Sequence, residues 1–279
     1  MKDIKLENFY EEHTWGANTI KKDRDMPNLK LNHILQALEK EKNVDLLEIG
    51  CGSGRILASI REHSKQLKLT GVDPSKAQIT LAKKENQENK IDFFVGDGEH
   101  LQFPDNSFTH VIIMDVLEHV EKPSQLLQET WRVLKKNGTL IAFIPAENEG
   151  VYWLSKKIFG QHFKEKSGGH IQQFTFKELD TLLEINRFSI EKKNYSYHLF
   201  GSIMDYALYT LLLYKPFAKL FWSKNKYYQQ DNANEKPTLL SRVLNGILSW
   251  GNMFAFYESK LLFNTPIMAI GLHVIAIKK

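Results

Sequence analysis

The chain has 279 residues, 42 % hydrophobic and 25 % charged, an ordinary globular composition with enough apolar material for a large core. Its net charge of +4 and pI of about 8.8 come with scattered lysines and no arginine-rich tract, so composition gives no ground for a nucleic-acid partner. The single cysteine excludes an internal disulfide, no run of about 20 apolar residues marks a membrane span, and the charged N-terminus lacks a signal-peptide pattern; a cytoplasmic protein is expected.

Residues 1–43 read as an N-terminal helical arm. Leu29, Leu31, Ile34, Leu35 and Leu38 predict an apolar-striped helix over residues 28–42. The less regular stretch 9–15 reads as a packed arm or as a lid over a cleft, with His13 and Trp15 as candidate contacts. Residues 44–49 then predict a short buried strand, Gly50-Cys-Gly-Ser-Gly54 a tight loop, and residues 55–64 a helix. This is the first half of a βαβ unit, whose ligand sits where the carboxyl end of the strand meets the loop. The glycine spacing is not the dinucleotide fingerprint, and no Lys-Ser/Thr follows as in a phosphate loop. Glu48 closes the strand. An acid there repels a pyrophosphate but suits a cofactor that carries positive charge. Cys51 reads as a small residue in a crowded turn, since its neighbours supply no base to activate a thiol.

A second strand over residues 67–72 ends in Asp73-Pro74-Ser75. Asp73 follows Gly54 by nineteen residues, close to the ~20-residue offset at which an acid meets ribose hydroxyls; the same residue can also hold the turn into the next helix, 76–89. Residues 91–95 and 111–114 predict strands three and four. A helix over 123–134 ends in the stop signal Lys135-Lys-Asn-Gly138, and residues 139–144 predict strand five. Residues 145–170 read as a loop rich in aromatic residues and histidine, a substrate wall. Thr175 and Glu178 have capping-box spacing before a further helix. Strand six is expected over 188–194 and the last strand over 268–278.

Glu48-Ile-Gly-Cys-Gly-Ser-Gly54 resembles the first motif of class I S-adenosylmethionine-dependent methyltransferases, and later stretches match in order, so the resemblance covers roughly residues 44–187. It implies a doubly wound α/β fold with a seven-stranded, mostly parallel sheet and an antiparallel last strand. The chain then divides into the arm (1–43), a cofactor-binding core (44–194), an inserted apolar helical cap (195–266) and the last core strand (267–279). The resemblance gives Glu48, Gly50, Cys51, Gly52, Gly54, Asp73 and Pro74 to S-adenosylmethionine. Asp97 would hold the adenine amino group and Gly98 would offer backbone to the ring. Glu99 would join them or serve as a helix-start acid, and Met114 and Asp115 would line the same site. Thr109 departs from the aspartate common at its position, a structural one.

Asp115-Val-Leu-Glu118-His119 resembles the fourth motif of small-molecule methyltransferases of the ubiquinone-biosynthesis kind. His119 is the candidate general base, because an imidazole pKa near 6.5 suits that task; on the other reading Glu118 and His119 hold the loop. His170, followed by Phe174-Thr-Phe, resembles the motif after strand five. No metal is expected, since neither His162 nor His170 has a carboxylate or cysteine at ligand spacing.

The implied activity is methyl transfer to oxygen or carbon of a hydrophobic or amphipathic small molecule, such as a quinone precursor, a lipid or a lipid-linked acceptor. Nucleic acid is disfavoured, as strand four lacks the Asn/Asp-Pro-Pro-aromatic motif of base-amine methylation. Open alternatives are a nucleic-acid or protein methyltransferase, a Rossmann oxidoreductase and a non-catalytic cofactor-binding protein. The insertion reads as a cap burying its own apolar face, as a surface that docks on a bilayer or holds a lipid-like substrate, or as a dimer interface.

Overall fold

The computed structural model describes residues 19–20, 24–39, 41, 43–150, 169–212 and 239–279, with the single positions 152, 157, 164 and 214. Nearly continuous burial along the central strands builds its sheet. Strands β1 (Asp45–Ile49), β2 (Lys68–Asp73), β3 (Ile91–Val95), β4 (Phe108–Met114), β5 (Leu134–Pro145), β6 (Phe188–Ser196) and β7 (Gly271–Lys278) form one seven-stranded sheet in the order β3-β2-β1-β4-β5-β7-β6. β7 is antiparallel to both β5 and β6, and the pairs from β3 through β5 are parallel. In β4, Val111 and Ile113 enter one core cluster and Ile112 and Met114 the other; in β5, Leu140 and Ala142 oppose Ile141 and Phe143 in the same way. Both faces are therefore covered, as a largely parallel sheet requires.

The first cluster packs under helices α4 (Pro123–Val133) and α5 (Phe176–Ile185), through Leu126, Leu127, Leu179 and Leu183. The second packs under α1 (Met26–Leu38), α2 (Arg55–His63) and α3 (Lys76–Glu85), through Leu31, Ile34, Leu57, Ile60 and Ile79. The expected doubly wound architecture is what forms. The antiparallel β7 is reached through two long helices, α6 (Leu199–Leu212) and α7 (Leu239–Leu261). α7 lies against α1 in a small cluster of Met26, Leu29, Ala255 and Phe256.

Three local expectations are corrected. α1 starts at Met26 rather than residue 28, because Asp25 accepts the Asn28 amide at 3.0 Å as N-cap and Pro27 fits the first turn. It ends at Leu38, its last buried residue, rather than at 42. Lys135-Lys-Asn-Gly138 is not a helix stop. α4 closes at Val133, and β5 begins at the fully buried Leu134, which pairs with Phe108 before the register jumps to His110 and Thr139. Burying a leucine is worth about 1.5–3 kcal/mol, more than one residue's helix propensity, so Leu134 goes into the sheet and the lysines form a bulge with Asn137 left-handed. Positions 152, 157 and 164 have helical backbone, where a loop is expected. The Thr175–Glu178 capping box forms as read.

Candidate functional site

The parallel strands β1, β2, β4 and β5 end at one edge of the sheet, and the loops that follow them build the site. After β1, the Gly50 and Cys51 amides both donate to the Val72 carbonyl, at 2.8 and 3.1 Å, and the loop folds back on itself through Gly54 N–H to Cys51 O at 2.9 Å. Gly50 and Gly54 have φ of +72° and +77°, and a Cβ on either would lie 2.5 Å from Val116 or Phe93. Only glycine satisfies both the turn and the packing. Cys51 is buried, and burial together with the nearby Glu48 charge raises its thiol well above the ordinary range, as expected of a space-filling residue.

Asp73, at the end of β2, accepts the Gly52 amide at 2.8 Å through Oδ2 and the Ser75 amide at 2.9 Å through Oδ1. The turn-holding reading of Asp73 is therefore realised, and it brings the acid directly beneath the glycine loop. Pro74 beside it is exposed. Glu48 is buried. Its Oε2 has no hydrogen-bond partner among the described residues, and burial, then the neighbouring Asp73 charge, pushes its carboxyl well above the usual range.

The turn after β3 is laid against the end of β1 and α4. A Cβ on Gly98 would meet Ile49 at 2.8 Å and Leu126 at 3.1 Å. The Asp97 carboxylate stays exposed and holds its own turn, accepting from Glu99 N–H at 2.9 Å and meeting His100 Nδ1 at 3.0 Å. Glu99 accepts the Lys122 amide at 3.0 Å, which pins the start of α4. Met114 packs into the second core cluster. Thr109 exchanges two hydrogen bonds with the Asp45 backbone, a structural role as expected.

Asp115 follows β4 with φ +54°, a strained left-handed geometry for a non-glycine residue. Its amide donates to Phe143 O at 3.1 Å, and its carboxylate pairs with Lys30 Nζ at 2.6 Å. Lys30 lies 3.7 Å from the centroid of the Phe143 ring, with Tyr197 beyond at 5.8 Å. Sequence reasoning missed Lys30. The signal was a lone cation between Leu29 and Leu31 on the apolar stripe of α1.

Beyond Asp115 lies a buried polar cluster. His119 Nδ1 donates to Gly169 O at 3.0 Å, so its lone pair is on Nε2, 3.7 Å from Glu118 Oε1. Its ring meets His170 edge-on at 4.7 Å. His170 Nδ1 bonds Glu147 Oε1 at 2.6 Å, and Lys164 Nζ bridges Glu147 at 2.7 Å and Asp205 of α6 at 2.6 Å. Burial, reinforced by His170, drives His119 down to about 3. Burial pulls Glu147 upward, but the Lys164 and His170 charges outweigh it and hold the carboxyl near 2. Glu118 is fully buried, neither oxygen has a hydrogen-bond partner among the described residues, and burial, then Asp115, raises its carboxyl well above the normal range.

The sequence shows no carboxylate or cysteine at ligand spacing from His170, but the fold brings a carboxylate to it from elsewhere in the chain. Glu147 bonds it, and ligand atoms of Glu118, His119 and His170 lie within 4.8 Å of one another, a grouping compatible with a cation. Spacing along the chain is blind to groups that the fold brings together across 52 residues. Glu147 and Lys164 were also missed. Glu147 carried a signal, an acid just past a buried strand, the position that singled out Asp73. His13, Trp15 and His162 lie outside the described residues.

Residues 47–142 match the family model described as "Methyltransferase domain". The ubiquinone biosynthesis O-methyltransferase of Pelagibacter ubique is 36 % identical over 110 residues, which cover 39 % of this chain and 44 % of that protein. The thiol S-methyltransferase TMT1B of Rattus norvegicus is 28 % identical over 177 residues, 60 % of this chain and 70 % of that one. Thus the chain spans less than half of the first relative. Among solved structures, the (4+2)-cyclase SpnF superposes with a TM-score of 0.59 at 17 % identity, covering 95 % of this chain and 86 % of that one, a likeness of fold. Residues 47–142, from β1 into β5, are thus similar to the methyltransferase domains of S-adenosylmethionine-dependent methyltransferases, and the sheet that carries them has the fold of the solved neighbour.

Proposed function

We propose that this chain moves a methyl group from S-adenosylmethionine to oxygen or carbon of a hydrophobic or amphipathic small molecule, with a quinone precursor, a lipid or a lipid-linked compound as the acceptor class. One observation supports the reading: the glycine loop, Asp73 and the segment that carries His119 follow parallel strands at the same edge of the sheet, with Val116 packed against Gly50.

The residues present fit the cofactor. Glu48 has a buried oxygen without a partner among the described residues, which a positively charged group nearby would stabilise. Gly50, Cys51, Gly52 and Gly54 form a cradle in which Gly50 and Gly54 leave no room for a side chain and Gly52 is left-handed, and Asp73 offers the carboxylate that ribose hydroxyls need. Asp97, Gly98 and Glu99 supply the adenine end, Met114 and Asp115 the wall beside them. When bound, the cofactor supplies an electrophilic methyl on a sulfonium that is its own leaving group, so the protein's task is alignment.

His119 is the group placed to take the acceptor's proton at Nε2 as the new bond to the methyl carbon forms. The bond to Gly169 fixes the required tautomer, and the depressed pKa keeps the imidazole neutral, ready to accept, across the neutral range. Such a base is weak, so an acceptor whose own hydroxyl or carbon is acidic, as in a phenol or quinol, suits it best. The name of the Pelagibacter relative supports that class. No basic stripe or base-amine motif supports nucleic acid.

Calorimetric titration with S-adenosylhomocysteine, followed by a panel of phenolic, quinol, lipid-linked and thiol acceptors scored for methylated product, tests the reading. Cofactor binding with methylation of a hydrophobic phenol or quinol is expected. Binding without product across the panel would favour a non-catalytic or different chemistry on this fold, and binding of a nicotinamide cofactor instead would overturn the reading.

A further inference from the structure

Among the described residues, fifteen large apolar side chains are exposed, and twelve of them fall between Leu199 and Met268. That concentration calls for an explanation, because scattered exposed leucines are ordinary and a contiguous patch is not. On α7 the exposed residues are Ile247, Trp250, Phe254, Tyr257 and Leu261, spaced by three and four so that they form one stripe. On α6, Phe200, Ile203 and Leu211, spaced by three and eight, fall on one face. The stripes adjoin: the Phe200 and Phe254 rings meet edge-on at 5.8 Å, and Trp250 stands 6.4 Å from Phe254. Behind them the two helices close up, since a Cβ on Gly251 would lie 2.4 Å from Met204. Leu199, Ile267 and Met268 extend the face where the hairpin leaves and rejoins the sheet.

The charges of this hairpin are sorted. Its acids turn inward: Asp205 pairs with the buried Lys164, and Glu258 accepts the Phe200 and Gly201 amides at 2.9 Å each. The described bases stay out: Lys260 is exposed, and the exposed Arg24 lies over the Tyr257 ring at 5.7 Å. The sequence that joins the two helices adds Lys215, Lys219, Lys224 and Lys226 and no acid before Asp231. Neither helix is long and apolar enough to cross a membrane. An apolar stripe with Trp and Tyr, basic surroundings and inward acids has the chemistry of an interfacial helix pair on an anionic bilayer.

We propose that the outer face of the α6–α7 hairpin docks on an anionic lipid surface, with Trp250, Phe254 and Ile203 immersed at the headgroup boundary. β6 runs parallel to β5, so the hairpin rises from the same sheet edge as the site. The Asp205–Lys164–Glu147–His170 chain ties it to the buried cluster. Docking therefore brings the cleft to the bilayer, and an acceptor resident there reaches it without crossing water; this last step rests on the methyl-transfer reading, the docking itself does not.

The test is cosedimentation of the full chain with vesicles of phosphatidylcholine alone, and of phosphatidylcholine with about one third phosphatidylglycerol, at low and high salt. Retention is expected on the phosphatidylglycerol vesicles, reduced by salt, and at least about tenfold weaker for W250E/F254E. No retention on either vesicle, or equal retention of W250E/F254E, would overturn the proposal. So would a wild-type dimer that W250E/F254E splits without any vesicle retention, since the face would then belong to a second copy. S-adenosylhomocysteine titration of the same samples separates the two readings: vesicle retention without cofactor binding keeps the docking surface and removes the methyl-transfer reading, and the reverse removes the docking surface alone. Should W250E/F254E misfold, I247E/L261E, at the two ends of the stripe, decides by the same criteria.

Discussion

Asp73 holds two amides with its two oxygens, and the ribose contact proposed for it is a prediction beyond that. Its carboxylate already holds the Gly52 and Ser75 amides, so it is positioned before any ligand arrives. Asp73→Asn keeps the shape and loses the charge. S-adenosylhomocysteine affinity should fall by about 1.5–3 kcal/mol, the worth of a hydrogen bond to a charged group, as read by calorimetry. An unchanged affinity would leave Asp73 with the turn alone. The two imidazoles of the buried cluster are separable in the same way. His119→Asn should lower turnover by about 10²-fold or more while S-adenosylhomocysteine affinity holds. His170→Asn, acting through the ring that His119 packs on, should shift the pH profile rather than abolish it. Equal losses of turnover and affinity in His119→Asn would make that residue a loop anchor.

At the scale of elements, the glycine loop is over-determined. Gly54 combines φ +77° with Phe93 at 2.5 Å from where a Cβ would go. A left-handed alanine costs about 1–2 kcal/mol and overpacking about 1–3 kcal/mol, so Gly54→Ala should lose about 2–5 kcal/mol in urea unfolding. A variant as stable as the parent would mean that β3 moves aside readily. The capping box and the bulge in β5 show the difference between local and non-local signals. Thr175 and Glu178 are three residues apart and bond each other whatever surrounds them, so their motif is legible. Lys135 to Gly138 carry a helix-stop pattern, but their conformation follows from Leu134 pairing with Phe108, a contact no window of sequence contains.

The whole molecule buries imidazoles beyond the site. His33 of α1 and His273 of β7 sit 5.1 Å apart, wedged with Phe263 and Phe143 where the arm meets the sheet. Burial, aided by Lys192, lowers His33 to about 4, and burial, then His33, holds His273 well below its ordinary value. A histidine with a depressed folded pKa is neutral in the fold and takes a proton on unfolding. Its stabilising contribution is complete above the unfolded value near 6.5 and is lost as pH falls from there to about 4. For His33 that amounts to about 3 kcal/mol. Urea unfolding at neutral pH and at pH about 5 should show the decline, and His33→Leu should flatten it. An equal slope in His33→Leu would assign the acid sensitivity elsewhere.

Chain-local physics was enough for most of this fold. Buried apolar runs, the glycine loop, the acid that ends β2 and the capping box involve neighbours a few residues apart, and the seven-stranded sheet with its antiparallel β7 came from the family resemblance. The acids at strand ends, Asp73 closing β2 and Asp115 following β4, were legible for the same reason. The buried polar contacts around them were not. Lys30 reaches Asp115 across 85 residues, Glu147 finds Lys164 and His170, and His119 meets His170 only because β4 and β5 end side by side. Those contacts cost desolvation that only a closed tertiary environment offsets, so no spacing rule encodes them. The same holds for the insertion. Its apolar residues are plain in the sequence, but a helix cannot say which of its faces a neighbour will cover. Packing of α6 on α7 buried one face, turned Asp205 and Glu258 inward, and left Trp250 and Phe254 outside.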